Sequence, residues 1–483
     1  MGLAPTFRTD GDTQAAALTA ARDPLKIVTE RILEWPVEVR AARVTPVLSP
    51  DDIHSRVAAH DLSQPHDLGT LVAEVVDLLE RGGLHSAHPR YFGLFVPGVR
   101  RAGVIADALA ALYNPQIAAW WHAPAANEIE RHTLAYLLRR IGFMSSDVTA
   151  TFTTGGSEAN LTGVLLALAS TFPSYQRDGL VGLTGRPVLY ASDQAHDSLV
   201  KIARTTGIGE RAIRRVQSDA RQRLDVDDLR RQIARDRAGG KAPFCVIGTA
   251  GTTATGAIDP LPVIADLCRA EGLWFHVDAA WGGLALLSDQ LRPHVAGIER
   301  ANSVTWDAHK TLPIPMGAGM FFCRAHPLVE SFFSVDTGYV PKALAGREDP
   351  YQHSIQWSRR FIGLKVFLTL AELGSEGIAA MIDHQAAMAR LLRERLVESG
   401  WRVMNDTPLP LVCFTRDSLS REATADLPRR VAAEGVAWIS ETRLTGGECW
   451  LRACITNHQT DPSDIDALVS GLDHAARGFP IGP

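Results

Sequence analysis

Short, largely apolar runs recur through the middle of the chain, at residues 187–192, 244–249, 273–277, 303–306 and 319–323. That is the pattern of strands covered on both faces. Between them, residues 158–172, 224–238 and 260–270 repeat apolar positions at helical spacing. Strand alternating with helix predicts a mostly parallel sheet sandwiched between helices. Upstream, residues 70–79 predict an amphipathic helix, followed by Gly82-Gly83 and a loop over 85–97 that carries Pro89 and Pro97. The pattern changes after about residue 354. A helical stretch at 362–373 passes through Gly374 into another at 378–398, then short strands near 411–414 and 450–455 and a helix at 462–475. This predicts three parts: an N-terminal helical segment (1–100), a large α/β domain (101–365) and a small α+β domain (366–483).

Composition narrows the classes. The 483 residues are 46% hydrophobic and 21% charged, and the charge sum is 49 − 54 = −5. With no basic excess, nucleic acid is not expected as a partner. No apolar run reaches the ~20 residues of a membrane helix. Residues 1–12 lack the basic and then apolar regions of a signal peptide. The six cysteines show no CxxC spacing and sit mostly in apolar surroundings, so reduced thiols and a cytoplasmic location are expected.

Two segments dominate the chemistry. His276-Val277-Asp278-Ala279-Ala280 and Trp306-Asp307-Ala308-His309-Lys310 both begin as strands and end at loops, the edge at which α/β sheets hold ligands. Asp278, closing an apolar strand, needs a partner. Lys310 precedes a loop bracketed by Pro313 and Pro315, and a desolvated lysine there becomes a nucleophilic amine. A lysine for the aldehyde and a carboxylate for the ring nitrogen are what pyridoxal 5′-phosphate (PLP) requires. Thr153 to Asn160 supplies glycines, hydroxyls and a helix start for a phosphate, although a Ser-capped helix would read the same. It is not a P-loop, since no Gly-Lys-Ser/Thr follows. Gly251-Thr252-Thr253 offers further hydroxyls, and His196, after the 187–192 strand, could stack on a flat ring. No His/Glu cluster shows metal-ligand spacing, so no metal is expected.

These residues resemble the group II PLP-dependent amino-acid decarboxylases, among them the aromatic-L-amino-acid, glutamate and diaminobutyrate enzymes. The marks are His88-Pro89-Arg90-Tyr91-Phe92, Ala123-Pro124-Ala125 with Glu128 and Glu130, Thr154 to Asn160, Ser192 to His196, Gly251-Thr252-Thr253, the Asp278 and Lys310 segments, Arg359-Arg360-Phe361 and Asn457. The resemblance runs from about Pro89 into the C-terminal domain. It implies an α/β fold of PLP fold type I, aspartate aminotransferase-like, and a homodimer with active sites at the subunit interface. Lys310 would be the Schiff-base lysine, Asp278 the pyridinium partner and His196 the ring-stacking histidine. Gly156, Ser157, Thr253, Asp307 and His309 would surround the phosphate, with Ala280 near the ring.

Tyr339 falls where the family has its mobile catalytic loop, and resembles the acid that returns a proton to the substrate carbon once CO₂ has left. The implied reaction is decarboxylation of an L-amino acid to its amine. Phe92, Leu94, Phe95 and Ala118 stand where the family lines its substrate pocket, and a partly aromatic lining favours an aromatic or apolar substrate over an acidic or diamino one. Trp120 and Trp121 could add apolar surface. Aldehyde synthase, aminotransferase and other carbon–carbon lyase chemistries remain open on the same fold, as does a non-catalytic PLP-binding protein.

Overall fold

The computed structural model describes residues 23–338, 346–444 and 446–479. Its centre is a seven-stranded sheet of β1 (Thr149–Thr153), β2 (Arg186–Ser192), β3 (Ile213–Val216), β4 (Lys241–Thr249), β5 (Trp274–Asp278), β6 (Ser303–Asp307) and β7 (Gly319–Cys323), in the order β1-β7-β6-β5-β4-β2-β3. Strands β2 to β6 pair in parallel, while β7 runs antiparallel to both β6 and β1. Every residue of β5, β6 and β7 is buried, which is why the apolar runs marked them. Strands β1 and β3 escaped that signal. One reads Thr-Ala-Thr-Phe-Thr and the other carries Arg214 and Arg215, so neither is a continuous apolar run.

Helices cover the sheet. The Gly156–Thr171 helix lies against β6 and β7, and its buried positions include Gly156, Ala159, Asn160, Thr162 and Gly163 as well as Leu166 and Leu168. Small residues on that side let the helix approach the strands closely.

A four-stranded antiparallel sheet forms the C-terminal part: β8 (Arg402–Val403), β9 (Leu411–Thr415), β10 (Ser440–Arg443) and β11 (Cys449–Cys454), in the order β10-β11-β9-β8. The long Gly363–Glu398 helix joins it to the central sheet and bends at Gly374, whose φ of 62° lies in the left-handed region. This is the break the sequence places between its two helical stretches. The last helix, Pro462–Arg477, opens with a capping box between Asp461 and Asp464.

Three N-terminal helices, Pro24–Glu38, Pro50–Ala58 and Leu68–Gly82, bury little. They leave Leu25, Val37, Val57, Leu68 and Leu79 exposed. Among the described residues no helix is long and apolar enough to cross a membrane. All six cysteines are free, and only Cys449 is not fully buried.

Candidate active site

Strand ends assemble the site. Thr249, Asp278 and Thr305 are paired neighbours across β4, β5 and β6. Gly319 pairs with Asp307 on one side and Thr153 on the other. These rows place polar side chains at the carboxyl edge of the parallel strands, where the backbone turns away and leaves room.

A cavity of about 250 Å³ opens at that edge. Gly156, Ser157, His196, Thr253, Asp278, Ala280, Asp307, His309 and Lys310 all line it, joined by Thr154, Gly155, Glu158, Asn160, Thr249, Gly251 and Trp281. Every residue expected to hold a cofactor is therefore brought to one place.

Lys310 ends a single helical turn, Ala308–Lys310, in the connection between β6 and β7. Its Nζ lies 2.9 Å from Asp307 Oδ2, with the Asp307 side chain 1% exposed and that of Lys310 27% exposed. The lysine is thus ion-paired and half-buried, less desolvated than the apolar strand before it suggests. Backbone bonds from Ala308 and to His309 Nδ1 tie the turn to Ala318. Because His309 Nδ1 accepts the Ala318 N–H, the neutral ring carries its proton on Nε2. Burial holds His309 below the usual imidazole value. His196 Nδ1 likewise accepts the Ser198 N–H at 3.1 Å, which leaves Nε2 to donate.

Asp278 is buried and its two oxygens have separate donors. Asn160 Nδ2 donates to Oδ2 at 2.8 Å, and the Ala280 N–H donates to Oδ1 at 3.0 Å.

The glycine-rich segment makes a cradle. No side chain caps the Gly156–Thr171 helix, so its first N–H groups stay available. A Cβ on Gly156 would stand 2.9 Å from Asp307 Oδ2 and 3.3 Å from the Ala280 Cβ. Glycine there preserves the cavity. Glu158 turns back instead, accepting from the Thr154 N–H and hydroxyl and from Gln356 Nε2. In the Gly251-Thr252-Thr253 turn, Thr252 is internal, its hydroxyl 2.9 Å from that of Thr255.

The residues expected at the substrate pocket lie apart from the lining of this cavity. Phe92 is 0% exposed and packs in the core of the C-terminal sheet, where its backbone bonds to Trp438 and Cys454 hold it. Ala118 is buried beside Tyr351. Leu94 is 45% exposed. None of the three lines the cavity. Phe95 reaches it indirectly, stacked on Trp281 with centroids 4.4 Å apart. Tyr339 lies outside the described residues.

Sequence spacing did not single out Asn160, Trp281, Gln356 or Arg452. It also missed a group well separated in sequence: His326, Glu348 and His353 bring their ligand atoms within 4.8 Å of one another, outside the cavity. The sequence shows no His/Glu cluster with metal-ligand spacing, and spacing cannot reveal this group, which the start of the His326–Phe333 helix and the Pro350–His353 turn bring together.

Buried polar atoms without a protein partner, Asp307 Oδ1 and Thr249 Oγ1, an uncapped helix start and the Lys310–Asp307 ion pair together define a site for an anionic cofactor on an α/β enzyme. Residues 50–416 match the pyridoxal-dependent decarboxylase conserved domain. The aromatic-L-amino-acid decarboxylase of Bacillus atrophaeus is 32% identical over 410 residues, covering 82% of this chain and 83% of that protein. The acidic amino acid decarboxylase GADL1 of Bos taurus is 30% identical over 465 residues, covering 92% and 86%. The crystal structure of mouse CSAD superposes with a TM-score of 0.89 at 26% identity, covering 98% of this chain and all of that one (100%). The chain belongs to the pyridoxal-dependent decarboxylase family. It is a PLP-dependent amino-acid decarboxylase, and the donors and glycine cradle just described fit that cofactor.

Proposed function

We propose that the substrate is an aromatic or apolar L-amino acid, converted to its amine and CO₂. One observation carries this reading: among the described residues lining the cavity, Lys310 is the sole lysine or arginine, and Asp307 already pairs with it. An acidic side chain entering a low-dielectric cavity requires a free cation. Arg452, behind the wall at Thr253, is committed, donating to the carbonyls of Thr253 and Gly93 and to Ser440 Oγ. Trp281 and the Phe95 ring stacked on it instead offer apolar surface.

Bound PLP supplies an aldehyde and an electron-accepting ring. In this reading Lys310 is the amine that anchors the cofactor, and Asp307 orients its Nζ. Asp278 meets the ring nitrogen and His196 lies against the ring. The N–H groups at Gly156 and Ser157, with Thr253 and His309, hold the phosphate, and Ala280 packs near the ring. Tyr339, by its place in the sequence, delivers the proton to the substrate carbon. The exposed apolar faces of the N-terminal helices suit a homodimer, and free buried thiols suit the cytoplasm.

The test is a screen of the common L-amino acids and cysteine sulfinate for CO₂ release by the purified enzyme, with amine, aldehyde and keto-acid products quantified. Preferred turnover of tyrosine, phenylalanine, tryptophan or a large aliphatic substrate is expected. Preferred turnover of aspartate, glutamate or cysteine sulfinate overturns the assignment.

A further inference from the structure

A buried line of polar side chains runs behind the cavity and ends on Asp278. Trp274 Nε1 lies 2.9 Å from Ser303 Oγ, Ser303 Oγ 2.7 Å from His276 Nδ1, His276 Nε2 2.9 Å from Asn160 Oδ1, and Asn160 Nδ2 2.8 Å from Asp278 Oδ2. Trp274, Ser303, His276 and Asn160 are 6%, 0%, 0% and 1% exposed. Water cannot substitute for any of these partners without opening the core.

The chemistry of the groups fixes the direction. Asp278 accepts the Asn160 N–H, so Asn160 Oδ1 faces His276 Nε2 and accepts its proton. The neutral ring then accepts at Nδ1 from the Ser303 hydroxyl, which in turn accepts the Trp274 indole N–H. The reversed amide would set two acceptors against each other at Asp278. Each proton therefore points towards the cavity, and in this arrangement every member has its partner. Burial pushes His276 down to about 4, partly offset by the nearby Asp278 charge, so the ring is neutral near pH 7. Helix packing enforces the arrangement: a Cβ on Gly163 would stand 2.7 Å from His276 Nδ1.

We propose that Asn160 and His276 are positioning residues that hold Asp278 as a directed hydrogen-bond acceptor for the ring nitrogen of the cofactor. The inference rests on the reading of Asp278 given above. Asn160 occupies one lone pair of Oδ2 and orients the carboxylate plane, and His276 fixes the Asn160 amide that would otherwise be free to turn over.

The experiment compares cofactor affinity of the full chain, freed of cofactor, for PLP and for the analogue in which the ring nitrogen is replaced by carbon. Both are titrated into the wild type, Asn160→Leu, His276→Leu and His276→Gln. The wild type should prefer PLP. In Asn160→Leu and His276→Leu the preference should fall about tenfold or more, through weaker PLP binding with analogue binding unchanged. His276→Gln, which keeps an N–H donor towards Asn160, should recover most of it. Should the leucine variants fail to fold, Ser303→Ala and His276→Gln are compared in the same way, and the serine variant should lose preference while the glutamine variant keeps it. Wild-type preference persisting in the leucine variants, or equal loss for both compounds, overturns the inference. A wild type that binds both compounds equally overturns the reading of Asp278 itself.

Discussion

Glu130 receives both arms of the Arg359 guanidinium, at 3.1 and 2.7 Å, with the two side chains each 4% exposed. The Gly363 N–H donates to the same carboxylate at 2.9 Å. The Pro124–Ile141 helix is thereby fastened to the start of the Gly363–Glu398 helix, at the point where the chain leaves the central sheet for the C-terminal one.

Breaking that fork should be costly. Glu130→Leu leaves a buried guanidinium with no counter-charge, for which about 3–5 kcal/mol of destabilisation is expected. The double change Glu130→Leu with Arg359→Met should cost much less than either single change. Urea denaturation of the four proteins measures this, and additive losses would show that the two residues do not act as a pair.

Gly163→Ala drives a methyl group into the His276 ring. A loss of about 1–3 kcal/mol is expected from overpacking, together with weaker PLP binding. An unchanged melting temperature and affinity would mean the helix shifts freely, against its tight packing on β6 and β7.

Acid should unfold the protein early. Burial pushes His88, His276, His353 and His458 each to about 4, against about 6.5 in the unfolded chain. Between these values the unfolded state takes up protons that the fold refuses, so stability is full above about pH 6.5 and drops as pH falls towards 4. Buried Asp259, raised to about 7 by burial, works in the opposite sense, but as one group against four. Calorimetry from pH 7 to 5 should show a falling melting temperature, and a level profile would contradict it.

Removing the lysine has two separable effects. Lys310→Ala should abolish turnover and the absorbance band of the covalently held cofactor. It also strips buried Asp307 of its partner, so the cofactor-free variant should lose about 1–3 kcal/mol. Adding Asp307→Asn should restore much of that stability while activity stays absent. Full turnover in Lys310→Ala would remove the residue from the reaction.

In aerated buffer Tyr339→Phe should lower the amine formed per CO₂ released and let aldehyde appear, with dioxygen as the oxidant and ammonia and hydrogen peroxide as the co-products. An unchanged ratio of amine to CO₂ would take Tyr339 out of the proton delivery.

Legibility followed burial and polarity. Strands β2, β4, β5, β6 and β7 announce themselves as short, largely buried runs rich in apolar residues, and Asp278 and Lys310 are legible because the first closes such a run and the second follows one by three residues. Strands β1 and β3 hide behind threonines and arginines. Phe92 and Ala118 are buried away from the cavity lining, which the sequence of a loop does not reveal, since its neighbours can point to opposite sides. Asn160 and His276 lie in segments that stand out, yet their partnership spans 116 positions and only folding reveals it. Glu130 and Arg359 stood out in the sequence only as separate marks of the family resemblance, and their pairing appears only in the fold.

The reversal of β7 has one more consequence. It makes the Lys310 segment the tip of a hairpin clamped between interior strands, whereas Arg452, from the other sheet, donates to the carbonyl of Thr253 in the cavity wall. The anchor thus sits in the centre of one layer, and a brace on the wall around it is supplied by the other, so the two layers must dock before the cavity takes its final shape.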